Sequence, residues 1–105
     1  MSFELLEEVE VFRRRRLPFM ESFADLEALI AIGNAEDTKP LGFKQMVLLD
    51  IAPATSLRRM LNRLIRSNAI QRRTNARDHR MTEYCLTEDT RRSLQEYQAV
   101  MSNGR

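Results

Sequence analysis

Residues 54–87 read ATSLRRMLNRLIRSNAIQRRTNARDHRMTEYCLT, and this stretch decides the fold. Its first part carries Leu57, Met60, Leu61, Leu64 and Ile65 at i, i+3, i+4, i+7 and i+8, one apolar face of a helix over 54–67. The opposite face offers Thr55, Ser56, Arg58, Arg59, Asn62, Arg63 and Arg66. Asn68 follows, a residue that tolerates the left-handed conformation which closes a helix. Residues 70–73 and 82–86 then alternate like two strands. The polar residues 74–81 join them, too many for a two-residue turn.

Upstream, residues 42–50 form a short apolar helix with Met46, Val47 and Leu48 or Leu49 inward. The link at 51–54 contains Pro53, which suits the first turn of a new helix because its missing N–H costs nothing there. A short helix, a tight link and a second helix with a polar outer face is the helix-turn-helix plan. The hairpin after it adds a wing. Residues 2–16 are predicted helical, with Leu5, Val9 and Phe12 at helical spacing. Pro18 ends that helix by disfavouring helical geometry at Leu17. Residues 19–33 repeat the pattern through Phe19, Phe23, Leu26 and Ile30, with Leu29 alongside, and Gly33 and Asn34 mark the expected end. A polar connector spans 35–41. Residues 88–101 return to helix, with Thr87 as cap and Leu94, Tyr97 and Met101 as a stripe. The predicted fold is mainly α with a small two-stranded β-wing: a winged helix-turn-helix with flanking N- and C-terminal helices. It is read as one domain over 1–105, divided into N-terminal helices (1–37), helix-turn-helix plus wing (42–87) and a C-terminal helix (88–105).

The totals narrow the function classes. At 105 residues, 43% apolar and 30% charged, the chain suits one globular domain rather than a disordered one. No apolar run nears the roughly 18 residues of a membrane span. The acidic start (Glu4, Glu7, Glu8, Glu10) is unlike a secretory signal, and the single Cys cannot form an internal disulfide. A reducing cytoplasm is therefore the expected compartment. Net charge is only +2, yet it is unevenly spread. Residues 38–80 hold ten bases against two acids, whereas residues 17–37 hold five acids and no base. A basic segment on a near-neutral chain fits a polyanion-binding surface.

The chemistry follows from that surface. Guanidinium forks, hydroxyls and an amide on 54–67 are the groups that bind phosphates and base edges. In the loop, Arg77, His79 and Arg80 stand at the hairpin tip, where arginines reach a narrow minor groove. Asp78 can hold one of them by a charge-assisted fork. The other reading of the loop is a solvated tip that keeps the hairpin soluble. Asp78 and His79 do not make a general base, since no nucleophile partners them, and Cys85 with scattered Glu lacks metal-ligand spacing. No enzyme activity, metal or cofactor is expected. Arg13, Arg14, Arg15 and Arg16 either touch DNA backbone or form a solvated helix end.

Residues 42–90 resemble the MarR family (multiple-antibiotic-resistance-type regulators). The likeness is clearest over NRLIRSNAIQRR at 62–73, where the family commonly has D-R-L-E-x-x-G-L-I-x-R-x. It continues through Asp78-His79-Arg80 and, six residues beyond Arg80, Leu86-Thr87, where the family has D-x-R and L-T. The resemblance implies that Arg80 enters the minor groove and that Asp78 orients it. It implies that Thr82, Tyr84 and Leu86 face inward and Cys85 outward. It also implies dimerisation through the terminal helices, here Phe3, Leu6, Val9, Phe12, Leu94, Tyr97 and Met101. Those stripes either pair two copies or cover the monomer core. Departures are Asn68 for the usual Gly, Pro53 for the usual small cap, and short flanking helices. Many members bind a phenolic or other small effector, and some sense oxidants through Cys. No residue here calls for an effector pocket, and only distant Arg would lower the pKa of Cys85.

Two functions compete on these residues. One is a sequence-specific regulator of transcription that binds double-stranded DNA as a homodimer, with no membrane partner. The other is a winged helix used as a protein-interaction or scaffold module, favoured by the acidic second helix and the apolar termini.

Overall fold

Side-chain capping sets where three of the helices begin. In this computed structural model, which describes residues 3–103, the order is α1 (Glu4–Arg16), α2 (Phe23–Ala35), α3 (Phe43–Leu48), α4 (Ala54–Arg66), β1 (Ile70–Thr74), β2 (Thr82–Leu86) and α5 (Glu88–Asn103). Residue 2 of the expected first helix and residues 1, 104 and 105 of the expected domain lie outside the described residues. The element order is the expected one. Among the described residues, no helix is long and apolar enough to cross a membrane.

The second helix starts later than its apolar spacing suggests. Ser22 and Asp25 form a capping box, in which Asp25 N–H donates to Ser22 Oγ at 3.4 Å and Ser22 N–H to Asp25 Oδ2 at 3.3 Å. Asp25 is wholly buried, and it turns inward with Leu29 and Ile32 behind it at i+4 and i+7. That rotation brings Phe23 out, to 74% exposure, and leaves Ile30 exposed as well. Leu26 and Leu29 are buried as expected and Phe19 packs against the core, but Phe23 and Ile30 are corrected to outward, and Ala28 and Ile32 complete the buried face. Gly33 does not end α2. A Cβ there would stand 2.9 Å from Leu86 Cδ1, so the missing side chain lets helix and wing strand approach.

The helix-turn-helix follows a similar logic. Gly42 N–H donates to Gln45 Oε1 at 3.0 Å and starts α3. Met46 is fully buried and Val47 half-buried, but Leu48 is 83% exposed and Leu49 also faces out, contrary to the inward assignment. The helix stops at Leu48 and the chain reverses at Asp50, whose φ is 57°. Pro53 occupies the cap position in extended conformation rather than the first turn of α4. Leu57, Met60, Leu61 and Leu64 are buried, and Ile65 is half-buried against the same core. Beyond Ser67, Asn68 adopts φ 62°. Asn68 N–H then reaches Ile65 O at 3.0 Å and Ala69 N–H reaches Leu64 O at 2.9 Å, the paired bonds of a Schellman ending.

The wing is antiparallel, with Ile70 opposite Leu86 and Thr74 opposite Thr82. β2 is bonded on both sides, because Tyr84 N–H also donates to Leu41 O at 2.9 Å. Its far edge is thereby taken from water, and α2 packs against the strand at Gly33 and Leu86. Glu83, Tyr84, Cys85 and Leu86 are all buried, and Thr82 is exposed. The outward Cys85 and inward Thr82 implied by the resemblance are thus corrected. Cys85 Sγ lies 3.8 Å from the carbonyl of its cross-strand partner Gln71. Glu36, just past α2, is buried. Its Oε2 accepts Leu86 N–H at 2.9 Å, its other oxygen pairs with Arg91 of α5, and its carbonyl accepts Arg73 Nη2 at 3.3 Å. Thr87 caps α5, accepting from Thr90 N–H at 3.4 Å, and its hydroxyl lies 2.9 Å from Asn68 O.

Helix α1 packs along α5 within one chain. The Phe12 and Tyr97 rings are 6.1 Å apart, and Arg16 pairs with Glu96 at 2.6 Å. Arg13 pairs with Glu10 and donates to Met20 O at 3.1 Å. The ends of the four-arginine run are therefore bound into the fold. The candidate dimer residues divide. Leu94 and Tyr97 are half-buried against the core, and Phe12 and Val9 are half-buried on α1. Phe3, Leu6 (63%) and Met101 stay exposed.

The left-handed site at Asn68 gives a direct test. Asn68→Ala is expected to lower stability by about 1 kcal/mol, because a Cβ residue without a local polar side chain pays the left-handed penalty. Asn68→Gly should match or exceed the parent in urea unfolding. Equal stability of the Ala and Gly variants would show that this ending does not constrain α4.

Candidate nucleic-acid interface

Four arginines on α4 divide by direction, and the division follows from their places around the helix. Arg59 and Arg66 stand opposite the buried stripe, exposed, without an ion pair among the described residues. Thr55, Ser56 and Asn62 are exposed with them. Arg58 lies on one flank, its guanidinium carbon 3.9 Å from the centre of the Phe43 ring. Arg63 lies on the other flank and turns inward. It donates to Asp25 Oδ1 at 2.6 Å and to Phe19 O at 2.7 Å, and Glu21 approaches its Nε at 3.3 Å. The assignment of Arg63 as an outward contact is corrected for a physical reason. A wholly buried Asp25 needs a counter-charge, and Arg63 is the group that reaches it.

The outer face of α4 and the start of α2 frame an open groove lined by Ser56, Arg59, Asn62 and Arg66, with Glu21 and Ser22 on the far side. The α4 side of the groove offers guanidiniums, a hydroxyl and an amide, and the far side the Glu21 carboxylate. On the other flank, burial pushes the Tyr84 hydroxyl pKa up, and the charges of Arg72 and Arg58 pull it down. Tyr84 stays protonated at neutral pH.

The wing tip is held by a local hydrogen-bond frame. Asn75 Oδ1 accepts Arg77 N–H at 2.8 Å and Asp78 N–H at 3.0 Å, while Asn75 N–H donates to Met81 O at 2.9 Å. Below it, Glu83 accepts from Asn75 Nδ2 and Arg73 Nε, each at 3.0 Å. Asp78 is half-buried, and its Oδ1 accepts Arg80 Nε at 3.2 Å. The side chain of Arg80 is nevertheless 91% exposed. The geometry is thus that of a carboxylate bracing an outward arginine. Arg77 and His79 are exposed beside it. No cluster of three or more His, Cys, Asp or Glu able to hold a metal occurs among the described residues.

Sequence reasoning missed Asp25, Glu21 and Phe43. Ser22 and Asp25 do carry a readable capping-box spacing. The Asp25–Arg63 pair spans 38 residues and leaves no local mark.

No family model matches the chain, and no curated protein matches it in sequence. Solved structures do match in fold. MepR of S. aureus in complex with DNA superposes with a TM-score of 0.75 at 16% identity, over 96% of this chain and 76% of that one. RV1404 of Mycobacterium tuberculosis gives 0.72 at 15% identity, over 97% and 67%. MarR gives 0.65 at 18% identity, over 94% and 71%. The chain therefore has the winged helix-turn-helix fold of MarR-type regulators, flanking helices included.

The inward arginine makes a stability prediction. Asp25→Ala strips Arg63 of its partner and α2 of half its capping box. It is expected to cost about 2–4 kcal/mol in urea unfolding. Arg59→Ala, on the solvent face of the same helix, should stay within about 0.5 kcal/mol of the parent. Similar costs for both would remove the distinction drawn between the two arginines.

Proposed function

We propose that this chain is a MarR-type, sequence-specific regulator of transcription that binds double-stranded DNA in the cytoplasm. The observation that carries the reading is the pairing of two surfaces on one fold. α4 presents exposed Arg59 and Arg66, unpaired among the described residues, and the wing presents Arg80 braced by Asp78. A protein of the same fold has been solved with DNA bound.

In this reading α4 enters the major groove. Thr55, Ser56, Arg58, Arg59, Asn62 and Arg66 face bases and phosphates there, and the wing at 74–81 lies along the minor groove. Arg77, His79 and Arg80 are the wing contacts, and Asp78 sets the direction of Arg80. Arg63 contributes by holding α4 against α2. Two copies pair through the terminal helices, with Phe3, Leu6 and Met101 in the contact and Val9, Phe12, Leu94 and Tyr97 supporting it. Such a pair places two recognition helices about one helical turn of DNA apart, on a pseudo-palindromic site.

The exposed Phe3, Leu6 and Phe23 favour a second reading, a winged helix that binds another protein and leaves DNA alone. Selection of bound fragments from a random DNA library separates the two. A symmetrical motif is expected, and no enrichment at low salt would sink the regulator reading. On the selected site, Arg80→Ala should weaken binding by about 1–3 kcal/mol. Arg66→Ala should flatten the salt dependence by roughly one unit for each phosphate that the side chain neutralises. Unchanged affinity in both variants, with loss on substitution at Phe12 or Tyr97, is the outcome the second reading expects.

The dimer has its own test. Leu6→Glu places a charge on an exposed apolar position, so folding should be unaffected. Sedimentation should show the parent as a dimer and the variant shifted to monomer. A monomeric parent at micromolar concentration would refute the pairing.

A further inference from the structure

Arg58 differs from the other arginines of α4. Arg63 is consumed by Asp25, and Arg59 and Arg66 have no fixed partner among the described residues. Arg58 is exposed, yet its guanidinium sits 3.9 Å from the centre of the Phe43 ring, well inside the range at which a cation is attracted to an aromatic face. Phe43 cannot move far to follow it. It is the first residue of α3, half-buried and packed against the core. The ring is thus a fixed platform supplied by the first helix of the helix-turn-helix, and the arginine resting on it belongs to the second.

A planar guanidinium uses its faces for stacking and its edge N–H groups for hydrogen bonds. The guanidinium carbon of Arg58 sits over the Phe43 ring, and no carboxylate among the described residues pairs with it. Two parallel N–H groups held in one plane match O6 and N7 of guanine. Arg58 lies in the first half of α4, the end of a recognition helix that meets base edges. A freely rotating arginine would serve phosphate as well as base. One fixed on a ring has already lost part of the freedom that binding removes.

Resting on the regulator reading above, we propose that Phe43 is a specificity-determining residue that never touches DNA: it sets the plane of Arg58, and Arg58 reads one guanine in each half-site. Phe43 is a positioning residue in this scheme, and Arg58 is the contact.

The test compares the full-length parent with Phe43→Leu, Arg58→Lys and the double variant, each selected on a random DNA library and titrated on the parent's site. A parent without a motif would undo the regulator reading itself, a result distinct from failure of the guanine contact. Given a motif, Arg58→Lys keeps the charge on an exposed side chain, so it should fold normally. It should lose preference at one symmetry-related G·C pair, leaving the other positions unchanged. Phe43→Leu should lose preference at that same pair, with affinity for the parent's site down about 2- to 10-fold. The double variant should lose no more than Arg58→Lys alone. Phe43→Tyr, which keeps the ring, should restore the preference. Replacing the guanine with 7-deazaguanine, which lacks N7, should weaken the parent more than it weakens Arg58→Lys. Uniform weakening at every position, an intact motif in Phe43→Leu, or additive losses in the double variant would each overturn the proposal. Should Phe43→Leu fail to fold by circular dichroism, Arg58→Lys with the 7-deazaguanine site decides whether a guanine is read, and Phe43→Tyr against Phe43→Met decides whether the ring matters.

Discussion

A carboxylate shut away from water is the constraint around which the fold is arranged. Glu36 stands at the end of α2, and burying a charge there costs several kcal/mol unless partners replace its water. The partners come from every other side of the junction: the Leu86 backbone from β2 and the Arg91 guanidinium from α5. The same residue's carbonyl takes Arg73 from β1. The end of α2 must therefore meet the β2–α5 segment, 50 residues further on at Leu86, before the charge is satisfied. The pairing in turn raises the pKa of Arg91, so the cation is never at risk of titrating. Gly33 completes the junction by letting α2 lie close on Leu86.

Helix α4, with exposed Arg58, Arg59 and Arg66, is fixed at both ends by comparable means. Its N-terminal half is stacked on α3 through Arg58 and Phe43. Its C-terminal half is tied to α2 through Arg63 and Asp25, and its last turn is closed by Asn68 beneath Thr87. Charged residues on one helix thus do unlike work. Some hold the helix in place, and the rest are free to act because it is held. The wing repeats the arrangement on a smaller scale. Arg73 and Asn75 converge on buried Glu83 at its base, while Arg80 projects from its tip.

The residues legible in the sequence are those whose role depends on near neighbours. The stripe of α4, the two strands and the Asn68 ending each rest on spacing within a dozen residues, and all stand in the structure. The Asp78–Arg80 brace is equally local. The features that escape a sequence reading depend on contacts made across the chain. Phe23 fits a periodic apolar pattern, but Asp25 must face Arg63 and turns the helix the other way. Leu48 is apolar and yet exposed, because the helix ends under it. Alternation puts Cys85 outside, a rule that holds only for a strand with one solvated face. Here α2 packs against β2 and Leu41 bonds its far edge, contacts that no pattern within 82–86 records.

That buried cysteine makes the hairpin open to observation without any added label. Cys85 is the only thiol in the chain, and it is buried with its Sγ beside its cross-strand carbonyl. A thiol-reactive reagent can attack it only after β2 has loosened from its neighbours. Labelling speed in the native protein therefore counts excursions of the wing, separately from global unfolding. Slower labelling when a ligand is present would mean that the ligand fastens this hairpin. The same measurement in variants at Glu83 or Glu36 would show which of the two buried carboxylates latches it.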